Sequence, residues 1–200
     1  MACLALLKKL ESRIEKLEKE NEKLKKWVFR EKKKCKAEDW LNDRYTANQS
    51  LDSWISNIVV TCDDIDLVHR YGVAVGTYYI IQRNLPFEQR RNFPIFCFQG
   101  HRHIFFAFKE DIWLRIGDEE IMDIIKKINN KLLIVLTQEY TPARPHLQNS
   151  PSGRAQWSKL LRKIILDPVK SHRVLQQFKK RLFQYLKFNI KKVIDYELEF

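Results

Sequence analysis

The sequence predicts an α+β protein with an N-terminal helix that forms a parallel dimeric coiled coil, an antiparallel β-meander packed with helices, and basic C-terminal helices. Three observations carry that prediction. Apolar residues recur at heptad spacing from Leu7 to Val28. Runs of β-branched and aromatic residues flank a glycine-containing turn within residues 93–116. Residues 141–200 hold 13 basic and 4 acidic side chains, a net of +9 out of +12 for the chain.

The first element is the most explicit. With Leu7 as heptad position a, the a positions are Leu7, Ile14, Asn21 and Val28, and the d positions are Leu10, Leu17 and Leu24. Leucine at d with β-branched residues at a favours two parallel strands, and a single Asn at a fixes register and dimer state at some cost in stability. In a parallel pair, Arg13 meets the other copy's Glu18 and Glu20 meets its Lys25, both opposite in sign. The stripe is confined to a and d, narrower than that of a helix lying on a core. Cys3 falls at a d-type position one heptad before Leu10. Only six residues precede Leu7, so the basic region of a bZIP protein is not expected. The helix is expected to continue through Arg30–Lys34 and to end before Asn42, which gives a leucine-zipper-like segment over 1–39.

An α+β domain with an antiparallel sheet is expected over 40–140. Residues 58–62 and 73–81 are rich in β-branched and aromatic side chains and read as strands, with Asp63–Arg70 between them as a loop or a short helix. Phe93–Phe98 and His103–Phe108 flank Gln99, Gly100, His101 and Arg102, a hairpin signal. A polar turn at Lys109–Asp111 leads to a third strand, Ile112–Ile116, and the short connections make a meander. Asp118 then reads as the N-cap of a helix whose face carries Ile121, Ile124, Ile125, Ile128, Leu132 and Val135. Pro142, Pro145, Pro151 and Gly153 mark residues 141–154 as a Pro-rich loop. Residues 155–200 are expected to be a basic helical segment packing on the domain. Trp157, Leu160, Leu161, Ile164 and Ile165 share one side of its first helix. A second helix starts at Asp167 and Pro168 and runs an apolar stripe as far as Val193.

Enzyme signatures are weak throughout, and no catalytic residue or cofactor is expected. Cys97, His101 and His103 form a Cys/His cluster that Cys62 or His69 could complete. Their spacing matches no common zinc motif, and a strand-turn-strand would splay them, so no metal is expected. A Cys/His nucleophile has no local signature. Gly72 and Gly76 lack the remaining residues of a phosphate loop, and Asp63, Asp64 and Asp66 lack the Gly and Glu of a calcium loop. The four cysteines have no C-x-x-C pairing, and read as free thiols of a reducing compartment. The start does not read as a signal peptide and no apolar run has bilayer-spanning length, so no membrane is expected, and the expected location is the cytoplasm or nucleus of the producing cell.

The binding signal is electrostatic. Lys170, Arg173, Lys179, Lys180, Arg181, Lys187, Lys191 and Lys192 lie on the polar side of the last apolar stripe, where they could neutralise phosphates of DNA or RNA without reading sequence. Tyr45, Tyr78 and Tyr79 are candidates for stacking on bases. The competing reading is a solvated helix face on a structural or scaffolding protein.

The stretch Asn92, Phe93, Pro94, Ile95, Phe96, Cys97, then Ile104–Trp113, Asp118–Ile121 and Ile124–Ile128, resembles a C-terminal domain of uncharacterised proteins of nucleocytoplasmic large DNA viruses. The likeness covers residues 20–196 in layout, and its specific part is the pattern P-I-x-C, then Trp, then a helix. In that family the domain often follows a coiled coil, sometimes after a KilA-N-type DNA-binding module or a zinc finger. No such module precedes the zipper here, so the resemblance lends no DNA-reading residue. It implies a viral protein built of strands followed by helices, with the virion as a site. The heptads and the charge, for their part, predict self-pairing through residues 3–34, with nucleic acid or other viral proteins as further partners.

Overall fold

A computed structural model describes residues 2–28, 32–85, 92–165, 168–190, 193 and 195–200. The chain is α+β, a mixture of helices with an antiparallel three-stranded sheet. It divides into two units, Met1–Cys35 with Val193–Glu199, and Lys36–Lys192 with Phe200.

The smaller unit contains α1 (Ala2–Val28) and a two-stranded sheet of β1 (Lys33–Lys36) and β5 (Tyr196–Glu199). The helix does not continue through Lys34 as expected, because Lys33–Lys36 is extended and the Lys33 N–H donates to the Asp195 carbonyl at 3.1 Å. Opposite charges suit that pairing: β1 carries Lys33, Lys34 and Lys36, while β5 carries Glu197 and Glu199. Pairing of segments this far apart in sequence leaves no local signal.

In the larger unit, the three-stranded sheet has the order β2 (Ile95–Phe96), β3 (Phe105–Lys109), β4 (Ile112–Ile116). Ile95 pairs with Ala107, Phe96 with Phe106, and Phe105 with Ile116, all antiparallel. The three strands pair in the predicted order and the second hairpin forms at the predicted turn. Strand β2 is only Ile95–Phe96, however, and residues 97–104 link it to β3, a longer connection than the expected turn at 99–102, because Phe98 bridges to Phe188 instead. The tight β3–β4 turn holds Glu110 and Asp111 at φ of 48° and 63°, the left-handed geometry of a two-residue hairpin turn. Strand alternation divides the sheet's side chains. Ile95, Phe105, Ala107 and Ile116 join the helical core. Phe96, Phe98, Phe106, Phe108 and Trp113 build a ring cluster with Trp40, Tyr45 and Phe188.

Helix α2 (Ala37–Arg44) packs against β4. The Asn42 side chain accepts from the Trp113 N–H at 2.6 Å and donates to the Trp113 carbonyl at 3.2 Å. It therefore satisfies backbone groups that an edge strand would otherwise offer to a neighbour.

The remaining helices are α3 (Leu51–Asn57), α4 (Cys62–Tyr71), α5 (Val73–Asn84), α6 (Asp118–Val135), α7 (His146–Asn149), α8 (Pro151–Ile164) and α9 (Pro168–Leu186). Two expected strands are overturned: Ile58–Thr61 is irregular, and Val73–Asn84 is helical. Helix α5 buries Val73, Ala74, Gly76, Thr77, Ile80 and Ile81, a 3.6-residue periodicity. Its β-branched content gives way to packing among α4, α6 and α9. Gly72 at φ 85° turns the corner between α4 and α5. Gly76 lets the two helices close, since a Cβ there would stand 2.3 Å from Val68 Cγ2.

The expected Pro-rich loop over 141–154 is also corrected. A π-helical turn, Leu136–Tyr140, extends α6 up to the segment; residues 141–145 are turn as expected, whereas α7 and the first turn of α8 take up most of the remainder. Pro151 sits in the first turn of α8, where its missing N–H costs nothing, and the Ser150 side chain accepts from the Gly153 N–H at 2.9 Å. Helix α6 begins at Asp118, with Gly117 as its N-cap in place of the expected Asp118. The final stripe stops at Leu186 rather than Val193. There the Phe188 N–H donates to the Cys97 carbonyl and the Gln99 N–H to the Phe188 carbonyl, drawing the chain to the sheet.

Candidate nucleic-acid interface

Helices α5 and α9 pack side by side and leave an open hollow of about 600 Å³ between their outer faces. Tyr71, Val75 and Tyr78 form one wall; Gln177, Lys180, Arg181 and Gln184 form the other. The spacing of the second set, i, i+3, i+4 and i+7, places two amides and two cations on one face of α9. On the opposite face, Leu175, Phe178, Leu182 and Phe183 are buried in the core, which fixes the helix's rotation. Tyr78 is half-buried, with its ring 5.3 Å from that of Tyr79 and 6.3 Å from that of Tyr185. Burial pushes the Tyr78 phenol up from its usual pKa, the Tyr79 hydroxyl adds to this and Arg181 opposes it. Tyr71 is 54% exposed and Tyr79 is 42% exposed. The Arg70 guanidinium lies 5.9 Å from the centre of the Tyr71 ring.

The predicted cations separate into distinct environments. Arg173, Lys180, Arg181 and Lys187 are exposed on or just beyond α9. Lys179 is not available to a ligand: it is 5% exposed and its Nζ reaches Asp118 at the start of α6 at 2.5 Å. The helical period turns it inward over Phe105, so it pins α9 to α6 instead. The Lys170 side chain and residues Lys191 and Lys192 lie outside the described residues. Of the stacking candidates, Tyr45 is enclosed by Trp40, Phe96 and Phe188 and belongs to the ring cluster.

A second basic hollow, about 650 Å³, lies on α8 between Ala155, Ser158, Lys159, Arg162 and Lys163. Lys163 also donates to the His69 carbonyl in the last turn of α4. The cations of α8 and Tyr71 were not among the predicted site residues: the former stand among Trp157, Leu160, Leu161 and Ile164 of an apolar stripe, and Tyr71 is paired with α9 only by tertiary packing.

No protein-family model, curated protein or solved structure matches the chain.

In α1, Leu10, Ile14, Leu17 and Leu24 are 50–61% exposed, and Asn21 and the charged residues from Arg13 to Lys25 are exposed with them. The side chains of Leu7 and Val28 lie outside the described residues.

The other polar clusters have structural roles. Asp64 is fully buried, accepts two hydrogen bonds from Arg83 at 2.9 and 2.8 Å, and accepts from the Thr61 N–H. Asp66 accepts from the Tyr140 hydroxyl at 2.6 Å. Burial first, then that hydrogen bond and the Asp66 charge, push the Tyr140 phenol up to about 12, with Arg144 opposing. Burial raises the Glu120 carboxyl, but hydrogen bonds from Lys109 and the Gly117 N–H, with the Lys109 charge, outweigh it and hold the group below its usual range. Cys97 is buried beside the Phe183 carbonyl, His101 stacks on Phe200 at 3.6 Å, and His103 is exposed. Among the described residues, no three His, Cys, Asp or Glu side chains converge as metal ligands, and no helix is long and apolar enough to cross a membrane.

Proposed function

We propose that this chain is a non-enzymatic viral protein that pairs in parallel through α1 and holds nucleic acid on the outer face of α9. The observation that carries the reading is the α5–α9 hollow, where Lys180 and Arg181 share a lining with the exposed Tyr71 and the half-buried Tyr78 and no carboxylate is among the lining residues. Phosphate contacts of this kind give salt-dependent affinity with little sequence preference.

The pairing is supported by the exposed seam Leu10, Ile14, Leu17 and Leu24, which leaves apolar side chains in water unless a second copy covers them. Asn21 and the Arg13–Glu18 and Glu20–Lys25 complements favour a parallel homodimer as that occupant. Two copies would present two basic faces to one polymer and raise avidity without improving either site. The cytoplasm or nucleus of the host cell is the setting that suits such a protein.

A mobility-shift titration against salt tests the reading. With Arg173, Lys180 and Arg181 in contact, log affinity should fall against log salt with a slope of about −2 to −3 per protomer. Binding that stays flat from low to physiological salt sinks it. Ile112 and Leu114, exposed on β4, favour a second reading as a structural or scaffolding component that contacts other viral proteins, in the virion or during its assembly. Co-purification of a viral protein free of nucleic acid, lost on Ile112→Ser with Leu114→Ser, would favour it.

A further inference from the structure

We infer that the α5–α9 hollow and its margin form a single-strand site, in which unstacked bases lie on Tyr71 within the hollow and on Tyr79 beside it while Lys180 and Arg181 hold the flanking phosphates. This rests on the nucleic-acid reading above and adds the class of polymer.

A duplex hides the faces of its bases and offers phosphates, sugars and groove edges. Cations alone suffice for its backbone, and exposed aromatic rings have nothing to stack on. A single strand offers every base face, and sites for it combine a cationic track with aromatic platforms. The hollow has both parts. Tyr71 lines the hollow and is 54% exposed; Tyr79, 42% exposed, stands at its margin with its ring 5.3 Å from that of the half-buried Tyr78. Lys180 and Arg181 stand across from that wall, and Arg70 beside the Tyr71 ring brings a further cation to the stacking side. Gln177 and Gln184 bracket the cations along α9. Neutral amides donate and accept, so they can meet the hydrogen-bonding edges of any splayed base without selecting one strongly. The volume, about 600 Å³, falls within the range of about 300–1,000 Å³ that seats small ligands. A base turned out of a flexible strand fits such a hollow, whereas a stacked duplex would span it.

The test uses the full-length chain and fluorescence anisotropy, with labelled oligo-dT and oligo-U of about 16 nucleotides and a duplex of equal length. Single strands are expected to bind at least about fivefold tighter than the duplex. Tyr71→Ala with Tyr79→Ala should weaken single-strand binding about tenfold and duplex binding less than about twofold. Tyr71→Phe with Tyr79→Phe keeps the rings and should retain the affinity, which separates stacking from any loss of fold. Lys180→Ala with Arg181→Ala should weaken both polymers and flatten the salt dependence. Equal binding of duplex and single strand, unmoved by the tyrosine changes, overturns the single-strand inference while the nucleic-acid reading stands. If Lys180→Ala with Arg181→Ala changes neither polymer, the wider reading falls as well. Competition by polyglutamate that matches oligo-dT at equal charge would point to an acidic protein segment and overturn both.

Discussion

Helices α1 and α5 carry similar apolar side chains but obey different constraints. In α1 the apolar residues are confined to a seam at heptad spacing, the seam is exposed within its unit, and everything around it is charged. In α5 the apolar residues occupy more than half of the circumference and pack among α4, α6 and α9. A helix in water must advertise the face that meets a partner, so its period is sharp. A helix enclosed on several sides has no polar face to mark the period, and its local composition, rich in Val, Tyr and Ile, imitates a strand. Burial therefore erases the signal by which a helix is most easily read.

The comparison can be broken at its buried end first. Ile80 is fully buried, so Ile80→Ala should cost about 2–5 kcal/mol in chemical denaturation. A loss below about 1 kcal/mol would mean that α5 is not enclosed. Gly76→Ala sets a gain in helix propensity of about 1 kcal/mol against a Cβ 2.3 Å from Val68 Cγ2. Overpacking should win, giving a net loss of about 1–2 kcal/mol. A stabilised variant would show that α4 and α5 are less closely packed.

Tyr140 tests whether the surroundings of α4 are as dry as those of α5. Its phenol is held near 12, above the free value of 10.0. Between those values the unfolded chain has lost the proton and the folded chain keeps it, so this stabilisation is complete below pH 10 and fades as pH rises through about 12. Absorbance titration near 295 nm should show a last-ionising tyrosine that Tyr140→Phe removes, together with about 1 kcal/mol of stability at neutral pH from the lost hydrogen bond to Asp66. A titration in which every tyrosine ionises together near pH 10 would contradict the buried placement.

The smallest effect on stability is expected at the exposed end. Leu17→Ala should change the unfolding of the larger unit by less than about 0.5 kcal/mol while shifting sedimentation equilibrium towards monomer. Asn21→Ile should do the reverse to assembly, tightening it while loosening the preference for two chains. Monomeric parent and Asn21→Ile proteins at tens of micromolar, about where a short zipper should pair, would refute the pairing.

Much of the chain was legible where the signal is local. The β2–β3–β4 meander follows from alternating residues broken by Gly100 and by Glu110 and Asp111, and α6 from its isoleucine spacing. At 73–81 the run of β-branched and aromatic residues reads as a strand because apolar side chains fall on every side of the helix, and the 3.6-residue spacing shows only in which of them are buried. The proline count at 141–154 misled for a related reason, since Pro151 opens a helix as readily as it ends one. At the candidate site, Lys180 and Arg181 were found from charge alone. Lys179 was miscounted with them because one residue along a helix turns a side chain by about 100°, which is enough to carry it from solvent to the core.

By itself the sequence determined the seam of α1, the hairpins and the excess of positive charge near the C-terminus, because each depends on residues close together in the chain. Tertiary structure alone decided that α5 is a helix, that β1 finds β5, that Lys179 is spent on Asp118, and that Tyr71 faces Arg181. These are pairings between segments far apart in sequence, set by which surfaces close-pack and which charges are left in water, and no local pattern encodes them.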